Sequence, residues 1–189
     1  MTIYRLKPAV NTYEVIDLDL IQFAELLGDD ASFSLVRSQP RTNESLLPRW
    51  KEPKVDLSEP FRGGEPIPDI SCKGIYLVLT DPAYQAFREL LARDGEFLPL
   101  IAGGQKFWLF NCRSFGKEDM EVTRITLLDG YPDGLEALAF DEGDIKDKTV
   151  FKSELDECFS LFVTDAFVQR YKACGYTGLR FDENLIDIF

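Results

Sequence analysis

The chain has 189 residues, with 33 acidic side chains against 21 basic ones, and its formal net charge at pH 7 is −12. A field of that sign repels nucleic-acid phosphates and anionic membrane surfaces, so we expect neither as a direct partner, and it favours encounter with basic proteins. The sequence contains no histidine, which excludes Ser-His-Asp and Cys-His catalysis and histidine-ligated zinc sites.

The first extensive feature along the chain is a proline-rich segment at residues 33–69. It contains six prolines, and proline disrupts both helix interiors and central strands. We therefore predict a long surface loop that carries short extended pieces. A loop of that length is either functional or poorly ordered, and its apolar side chains would equally suit a homodimer surface. The residues that would anchor it to the core are Trp50, Val55, Leu57 and Phe61.

Two stretches, residues 76–100 and 161–181, follow the same pattern. Each reads as an apolar strand, an Asp, a short amphipathic helix, a Gly and a second apolar strand. Asp81 and Asp165 are predicted to be the N-caps of the two helices, because a side-chain oxygen at that position accepts a hydrogen bond from an unpaired helix N–H group. We expect the two units to pack on the same sheet.

The end of the first unit predicts a β-hairpin. Residues 97–102 and 106–112 are apolar segments joined through Gly103-Gly104, and both glycines accept the positive φ of a tight turn. Residues 125–128 form another short strand candidate. The region at 131–148 reads as a loop that contains one strand, at residues 135–140.

Together these elements predict an α+β fold with a mixed or mainly antiparallel sheet and a few short helices, in a single domain over residues 1–189. The four cysteines have no C-x-x-C spacing, and no window approaches the apolar length of a membrane span or of a signal-peptide core. We therefore expect reduced thiols, a cytoplasmic location and no contact with a membrane. The cysteines are Cys72, Cys112, Cys158 and Cys174.

Most of the negative charge lies between residues 118 and 157. This stretch holds thirteen acids and four bases, for a net charge of −9 out of −12. If these side chains gather in space, they form an acidic face that attracts a basic partner; the alternative is a set of unrelated solvent-facing loops. The candidate partner-binding residues are Glu118, Asp119, Asp141, Glu142, Asp144 and Asp147.

Motifs for cofactor or metal chemistry fail on their spacing. The run at 141–147 resembles a calcium-binding loop, but Lys146 and Lys152 occupy the positions that require Gly and Glu. The glycines in AGGQKF lack the G-K-[ST] ending of a phosphate-binding loop. We therefore predict no cofactor, no metal and no catalytic residue, with Cys112 and Cys158 as inert core thiols. A carboxylate-based hydrolase, with or without a metal ion, stays open as an alternative.

The C-terminal phrase resembles the end of a bacterial immunity-protein family from polymorphic toxin systems. The resemblance lies in FVTD-x-F at 162–167 and in a closing G-x-x-G-x-x-F motif formed by Gly175, Gly178 and Phe181. PDIS at 68–71 and KFWLFN at 106–111 also look similar. The likeness covers residues 68–181, and its motifs are short and structural.

The resemblance implies an antidote, a cytoplasmic protein that binds a cognate toxin and neutralises it stoichiometrically. Partners in that family are chemically varied, so the toxin's activity does not carry over. The hypothesis is therefore an immunity protein that is not an enzyme and whose partner is a protein, with basic character suggested by the acidic face. The alternatives are the hydrolase above and a regulatory interaction protein unrelated to toxins.

Overall fold

The computed structural model describes residues 1–10, 13–29 and 32–187. Within those ranges the fold is α+β, as predicted, with twelve strands in three sheets and six helices. The prediction of a single domain over residues 1–189 includes residues outside the described ranges and stays a prediction. The longest described helix has eleven residues, too few to cross a lipid bilayer.

The helices and strands have the following bounds. The helices are α1 Leu20–Leu27, α2 Ser34–Thr42, α3 Glu59–Arg62, α4 Asp81–Leu91, α5 Glu142–Ile145 and α6 Asp165–Cys174. The first six strands are β1 Ile3–Pro8, β2 Ile16–Asp17, β3 Lys54–Leu57, β4 Ile70–Lys73, β5 Tyr76–Thr80 and β6 Gly95–Ala102. The remaining strands are β7 Gln105–Cys112, β8 Arg124–Leu128, β9 Tyr131–Ala137, β10 Val150–Phe151, β11 Phe162–Thr164 and β12 Leu179–Asp182.

The largest sheet has six strands in the order β2-β3-β6-β7-β5-β4, and it is mixed because β3 runs parallel to β6. Its centre is the predicted hairpin, in which β6 and β7 pair from Gly95↔Cys112 to Ala102↔Gln105. Successive residues of a strand point to opposite faces. Leu98 and Leu100 therefore join one apolar cluster with α1 and α2, whereas Phe110, which pairs with Phe97, joins a second cluster on the other face.

The second sheet has four antiparallel strands in the order β10-β11-β1-β12. The two strand–helix units therefore lie in different sheets, which corrects the expectation that they share one: β5 belongs to the six-stranded sheet and β11 to the four-stranded sheet. The units meet through their helices, because Phe87 of α4 and Phe167 of α6 pack with ring centroids 4.9 Å apart. That contact lies in the apolar cluster shared by the two sheets.

The proline-rich segment contains one short extended piece, β3, as predicted, but it is not otherwise the predicted surface loop, because it also contains the helices α2 and α3. Pro40 lies inside α2, where the loss of one N–H group is offset by contacts elsewhere. The Asp29 carboxylate accepts hydrogen bonds from the backbone N–H of Leu35 and Val36, and the fully buried Gln39 donates to Asn111 Oδ1 at 3.1 Å. Tertiary contacts of this kind override the local signal that proline supplies.

The four predicted anchors of that segment do reach the core. Leu57 and Phe61 are buried in the first apolar cluster, and Trp50 and Val55 pack against it while partly exposed. The Trp50 indole also donates to the carbonyl oxygen of Pro99, at 2.6 Å. Strand β3 thus lies inside the sheet, between β2 and β6.

Threonines, not the predicted aspartates, are the N-cap residues of α4 and α6. Thr80 caps α4 with its hydroxyl, which accepts from the backbone N–H of Ala83, and Thr164 is the N-cap residue of α6. Asp81 and Asp165 are the first helical residues, where a negative charge is favourable near the helix N-terminus. Their carboxylates accept instead from the Trp108 indole and from the backbone N–H of Thr2.

Candidate interaction surface

A second β-hairpin stands apart from the two large sheets. We call the hairpin and the turn that leads into it, residues 120–137, the arm. Its strands β8 and β9 pair only with each other in the described part of the chain. The turn is Asp129-Gly130, with φ of 51° and 85°. Positive φ at both central residues is the geometry of a two-residue hairpin turn whose twist matches that of the strands.

The base of the arm is fixed to the rest of the fold. The Thr123 hydroxyl donates to the carbonyl oxygen of Ala139 and accepts from its N–H group, each at 3.1 Å. The N–H of Asp119 donates to the same Ala139 carbonyl at 2.9 Å. Leu135 packs against a third apolar cluster, which includes Phe140. These contacts hold the root of the arm, so its far end projects from a defined position.

The far end of the arm exposes large apolar side chains. Leu127, Leu128 and Tyr131 are 64%, 61% and 76% exposed, and Met120 and Val122 are exposed nearer the root. Five of the twelve large apolar side chains that are exposed in the described chain therefore lie in eighteen residues. A two-stranded ribbon cannot form a core of its own. Grouped apolar side chains that stay in water mark interaction sites more often than scattered ones do.

The arm also carries four acids and one base. Glu121, Asp129, Asp133 and Glu136 are all exposed, and Arg124 lies 3.8 Å from Glu136 as an exposed ion pair. Apolar side chains surrounded by charge that is mainly of one sign combine an anchor with electrostatic selection of the partner. The chemistry of this surface therefore suits a cationic macromolecule that has an apolar contact area.

The fold brings four of the predicted acidic residues into one neighbourhood beside the root of the arm, namely Glu118, Asp119, Asp141 and Asp144. Glu118 forms an antiparallel bridge with Phe140, and the N–H of Asp141 donates to the carbonyl oxygen of Lys117. Residues 117–119 therefore run next to residues 139–141. The acids of the two runs become neighbours although some twenty residues of chain separate them.

Several of these carboxylates are engaged in local contacts. Glu118 accepts from the Ser153 hydroxyl and from the N–H of Leu155, so it ties the 153–157 segment down. Asp119 accepts from the N–H of Glu121 at 2.9 Å. Both are partly exposed. Their contacts stabilise the root of the arm.

Asp141 and Asp144 similarly organise the short helix α5. Asp141 is its N-cap, accepting from the N–H of Gly143 at 2.8 Å, and lies 3.6 Å from the Lys117 ammonium group. Asp144 accepts from the Lys148 ammonium group and from the N–H of Lys117. The hydrogen bond from Lys148 is the main cause that lowers the pKa of Asp144 below its usual range.

Glu142 and Asp147 are the two predicted residues whose side chains mainly face solvent. Of the six predicted residues, four thus make hydrogen bonds within the fold. In the arm beside them, the strand candidate at 125–128 corresponds to β8, but its pairing into an exposed apolar hairpin was not predicted. The signal for the arm is present in the sequence. Asp-Gly between Leu127-Leu128 and Tyr131 is the strongest short-range indication of a two-residue hairpin.

Two other features of the described chain bear on recognition and chemistry. An open groove of about 560 Å³ between α1 and β3 is lined by interspersed acids and bases, including Asp17, Glu25, Lys51 and Lys54. Within residues 1–10, 13–29 and 32–187, no three His, Cys, Asp or Glu side chains gather where they could hold a metal ion.

The thiols match the prediction of inert core cysteines. Cys112 and Cys158 are buried and free. Burial raises the pKa of the Cys112 thiol to about 12 and also raises the pKa of Cys158. Since the thiolate is the reactive form, both side chains stay protonated at neutral pH.

No protein-family model matches the sequence, and no curated protein matches it. Two of the motifs that carry the resemblance to immunity proteins contact each other in this fold. The Asp69 carboxylate of PDIS accepts from the N–H and the hydroxyl of Thr177, at 2.9 and 3.0 Å. Gly178 lies so close to Ile70 that an added Cβ would be 2.0 Å from its carbonyl oxygen. The resembling segments therefore contact each other, and they lie outside the arm.

Proposed function

We propose that this protein is an immunity protein, which binds a cognate protein toxin in the cytoplasm and neutralises it by forming a stoichiometric complex. The observation that carries the proposal is the arm, a projecting acidic hairpin that keeps Leu127, Leu128 and Tyr131 in water. Leaving such side chains exposed gives the isolated fold no stability, so we assign them to a partner. The resemblance of residues 68–181 to immunity proteins supplies the class of partner.

The charge of the surface favours a basic protein over a nucleic acid. The chain carries a net charge of −12, and the arm carries four acids and one base. Long-range attraction of this kind raises the rate of association with a cationic partner and repels phosphate groups. Neutralisation by surface complementarity also needs no nucleophile or metal ion.

The experiment is co-expression of the protein with the C-terminal domain of the toxin encoded beside its gene. We expect rescue of growth and co-purification of an equimolar complex. Replacing Leu127, Leu128 and Tyr131 together by Ser should abolish rescue, because central apolar anchors of an interface contribute about 2 kcal/mol or more each. The thermal midpoint of the variant should stay close to that of the wild type.

A matched control is available on α1. Leu20 and Ile21 are 51% and 57% exposed and are not part of the arm, so their replacement by Ser should leave rescue intact. Rescue without a stable complex would contradict the proposal and favour enzymatic detoxification of the toxin. Undiminished binding by the triple arm variant would remove the arm from the interface.

A further inference from the structure

The two strands of the arm are protected against edge pairing to different degrees. Strand β9 contains Pro132, Asp133 and Gly134 and has an irregular register, all of which discourage a further strand. Strand β8 has the sequence RITLL, with no proline, no glycine and no acid. No backbone hydrogen bond joins the outer edge of β8 to another described residue. An unprotected edge of this kind is a ready template for another extended chain.

The register identifies which backbone groups of β8 face outward. Leu128 and Tyr131 flank the two-residue turn, so they form the hydrogen-bonded pair that closes the hairpin. Hydrogen-bonded and non-hydrogen-bonded pairs alternate along an antiparallel ladder, so Leu127 and Pro132 form a pair of the second kind. Proline has no N–H group, which suits that position. The N–H and C=O groups of Leu127 therefore point away from β9.

The two register shifts in the arm leave this edge continuous, because both extra residues belong to β9. Between Arg124↔Ala137 and Ile125↔Leu135, β8 advances by one residue while β9 advances by two. Between Ile125↔Leu135 and Leu127↔Pro132, β8 advances by two residues while β9 advances by three. The extra residue again belongs to β9, and the outward alternation continues along β8 to Ile125. Ile125 and Leu127 thus present two outward N–H groups and two outward C=O groups in a row.

We propose that the outer edge of β8 binds a cationic, extended segment of the toxin as an additional β-strand. In this mode, main-chain hydrogen bonds supply affinity and flanking side chains supply specificity. Leu127 and Leu128 point to opposite faces of the arm, so the apolar face of an added strand that alternates lysine with an apolar residue would pack against one of them. The proposal rests on the proposed function in taking the arm as the binding element, and it adds the mode of binding and the chemistry of the bound segment.

Charge selects the toxin segment over a second copy of this chain. Glu121, Asp129 and Asp133 are exposed and make no ion pair with another described residue. A second arm would bring the same acids to the same edge, on a chain whose net charge is also −12. Like charges brought together across an interface oppose association, whereas lysine and arginine in the added strand would pair with these carboxylates.

The experiment uses the full chain and a short capped peptide that alternates lysine and valine. We expect the peptide to bind, and hydrogen exchange measured by NMR should slow at the amides of Ile125 and Leu127 of the wild-type protein. A peptide that alternates glutamate and valine should not bind. The exchange measurement needs no substitution, so it tests the proposal even if an arm variant fails to form its hairpin.

Two variants at one position separate backbone pairing from side-chain contact. Leu127→Pro removes an outward N–H group and places a ring on the edge without removing a hydrogen bond of the hairpin. It should weaken peptide binding by about tenfold or more, because one hydrogen bond to the added strand is lost and the proline ring blocks the neighbouring position on the edge. Leu127→Ala keeps the edge and should weaken binding by much less. Backbone chemical shifts of β9 report whether the hairpin remains closed in each variant.

The proposal is overturned if the lysine–valine peptide does not bind, if protection appears on β9 or outside the arm, or if Leu127→Pro binds as tightly as the wild type. These results are separable from the test of the proposed function. If the lysine–valine peptide does not bind but the triple Ser variant loses toxin rescue, the arm binds the toxin through its side chains. That result removes only the edge pairing. Peptide protection at β8 without toxin rescue would support the edge pairing and contradict the immunity role.

Discussion

The protein contains two hairpins with similar turns and opposite environments. Gly103-Gly104 joins β6 to β7 with φ of 55° and 78°, and Asp129-Gly130 joins β8 to β9 with φ of 51° and 85°. The first hairpin is the centre of the six-stranded sheet, with β3 and β5 on its two edges. The second has no neighbouring strand in the described chain. Similar turn chemistry thus produces a hairpin in both places, and it does not decide where the hairpin lies.

Whether the apolar side chains of a hairpin are buried depends on the elements that pack against it. Both faces of β6 and β7 are covered by apolar clusters, one built on α1 and α2 and the other on α4 and α6. The arm is attached at its root and is otherwise surrounded by solvent. Apolar residues in the first hairpin therefore stabilise the fold, whereas Leu127 and Leu128 in the second contribute little to it. The comparison separates residues that serve folding from residues that are available for binding.

The largest difference should appear when one apolar side chain is removed from each hairpin. Phe110 is fully buried, so Phe110→Ala should lower the free energy of unfolding by about 3–5 kcal/mol through lost transfer energy and a cavity. Leu127→Ala should change it by no more than about 0.5 kcal/mol, as is usual for exposed sites. Urea denaturation of both variants measures the two values. A comparable loss in Leu127→Ala would mean that the arm packs against the body of the protein.

How far the sequence predicts the fold depends on whether the signal is local. The central hairpin, the buried strand β5, the helix that Gly175 ends and the strand after it are all marked by apolar runs and turn residues, and all were predicted. Helix α2 was missed, because its stability comes from Asp29 and from the buried contact of Gln39 with Asn111. Those partners are distant from the proline that suggested a loop.

The candidate site was predicted only in part for the same reason. Charge density along the chain located the neighbourhood of Asp141 and Asp144. It could not show that both carboxylates would be occupied by the N–H of Gly143 and by Lys148. The arm had a usable local signal at Asp129-Gly130. The sequence contains no local signal for the exposure of the arm, because apolar strands such as β5 and β8 differ mainly in the neighbours that the whole fold provides.

A smaller effect should follow from adding a methyl group to each turn. Gly103→Ala and Gly130→Ala each place a Cβ in the left-handed region, at a cost of about 1–2 kcal/mol. The Cβ at Gly103 would lie 2.6 Å from Cδ1 of the buried Leu57, whereas that at Gly130 would meet nothing within 4 Å. Gly103→Ala should therefore lower the urea midpoint more than Gly130→Ala does. In the second variant the loss should appear as faster hydrogen exchange confined to the arm, and equal global losses would contradict this account.

The smallest effect on the free energy of unfolding at neutral pH is expected for Cys112, the thiol at the end of β7. Burial raises the pKa of Cys112 from its ordinary value of 9.0 to about 12, so the unfolded chain releases this proton before the folded chain does. The contribution to stability is complete below pH 9 and is lost as the pH rises from 9 towards 12. Cys112→Ala should therefore show a shallower alkaline loss of unfolding free energy than the wild type in matched urea titrations.

The control for this prediction is Leu127→Ala, which should keep the wild-type slope because it changes only the exposed arm. Rapid reaction of Cys112 with a thiol reagent in the native protein at pH 8 would contradict the assignment, since a buried protonated thiol should react only as fast as the chain opens.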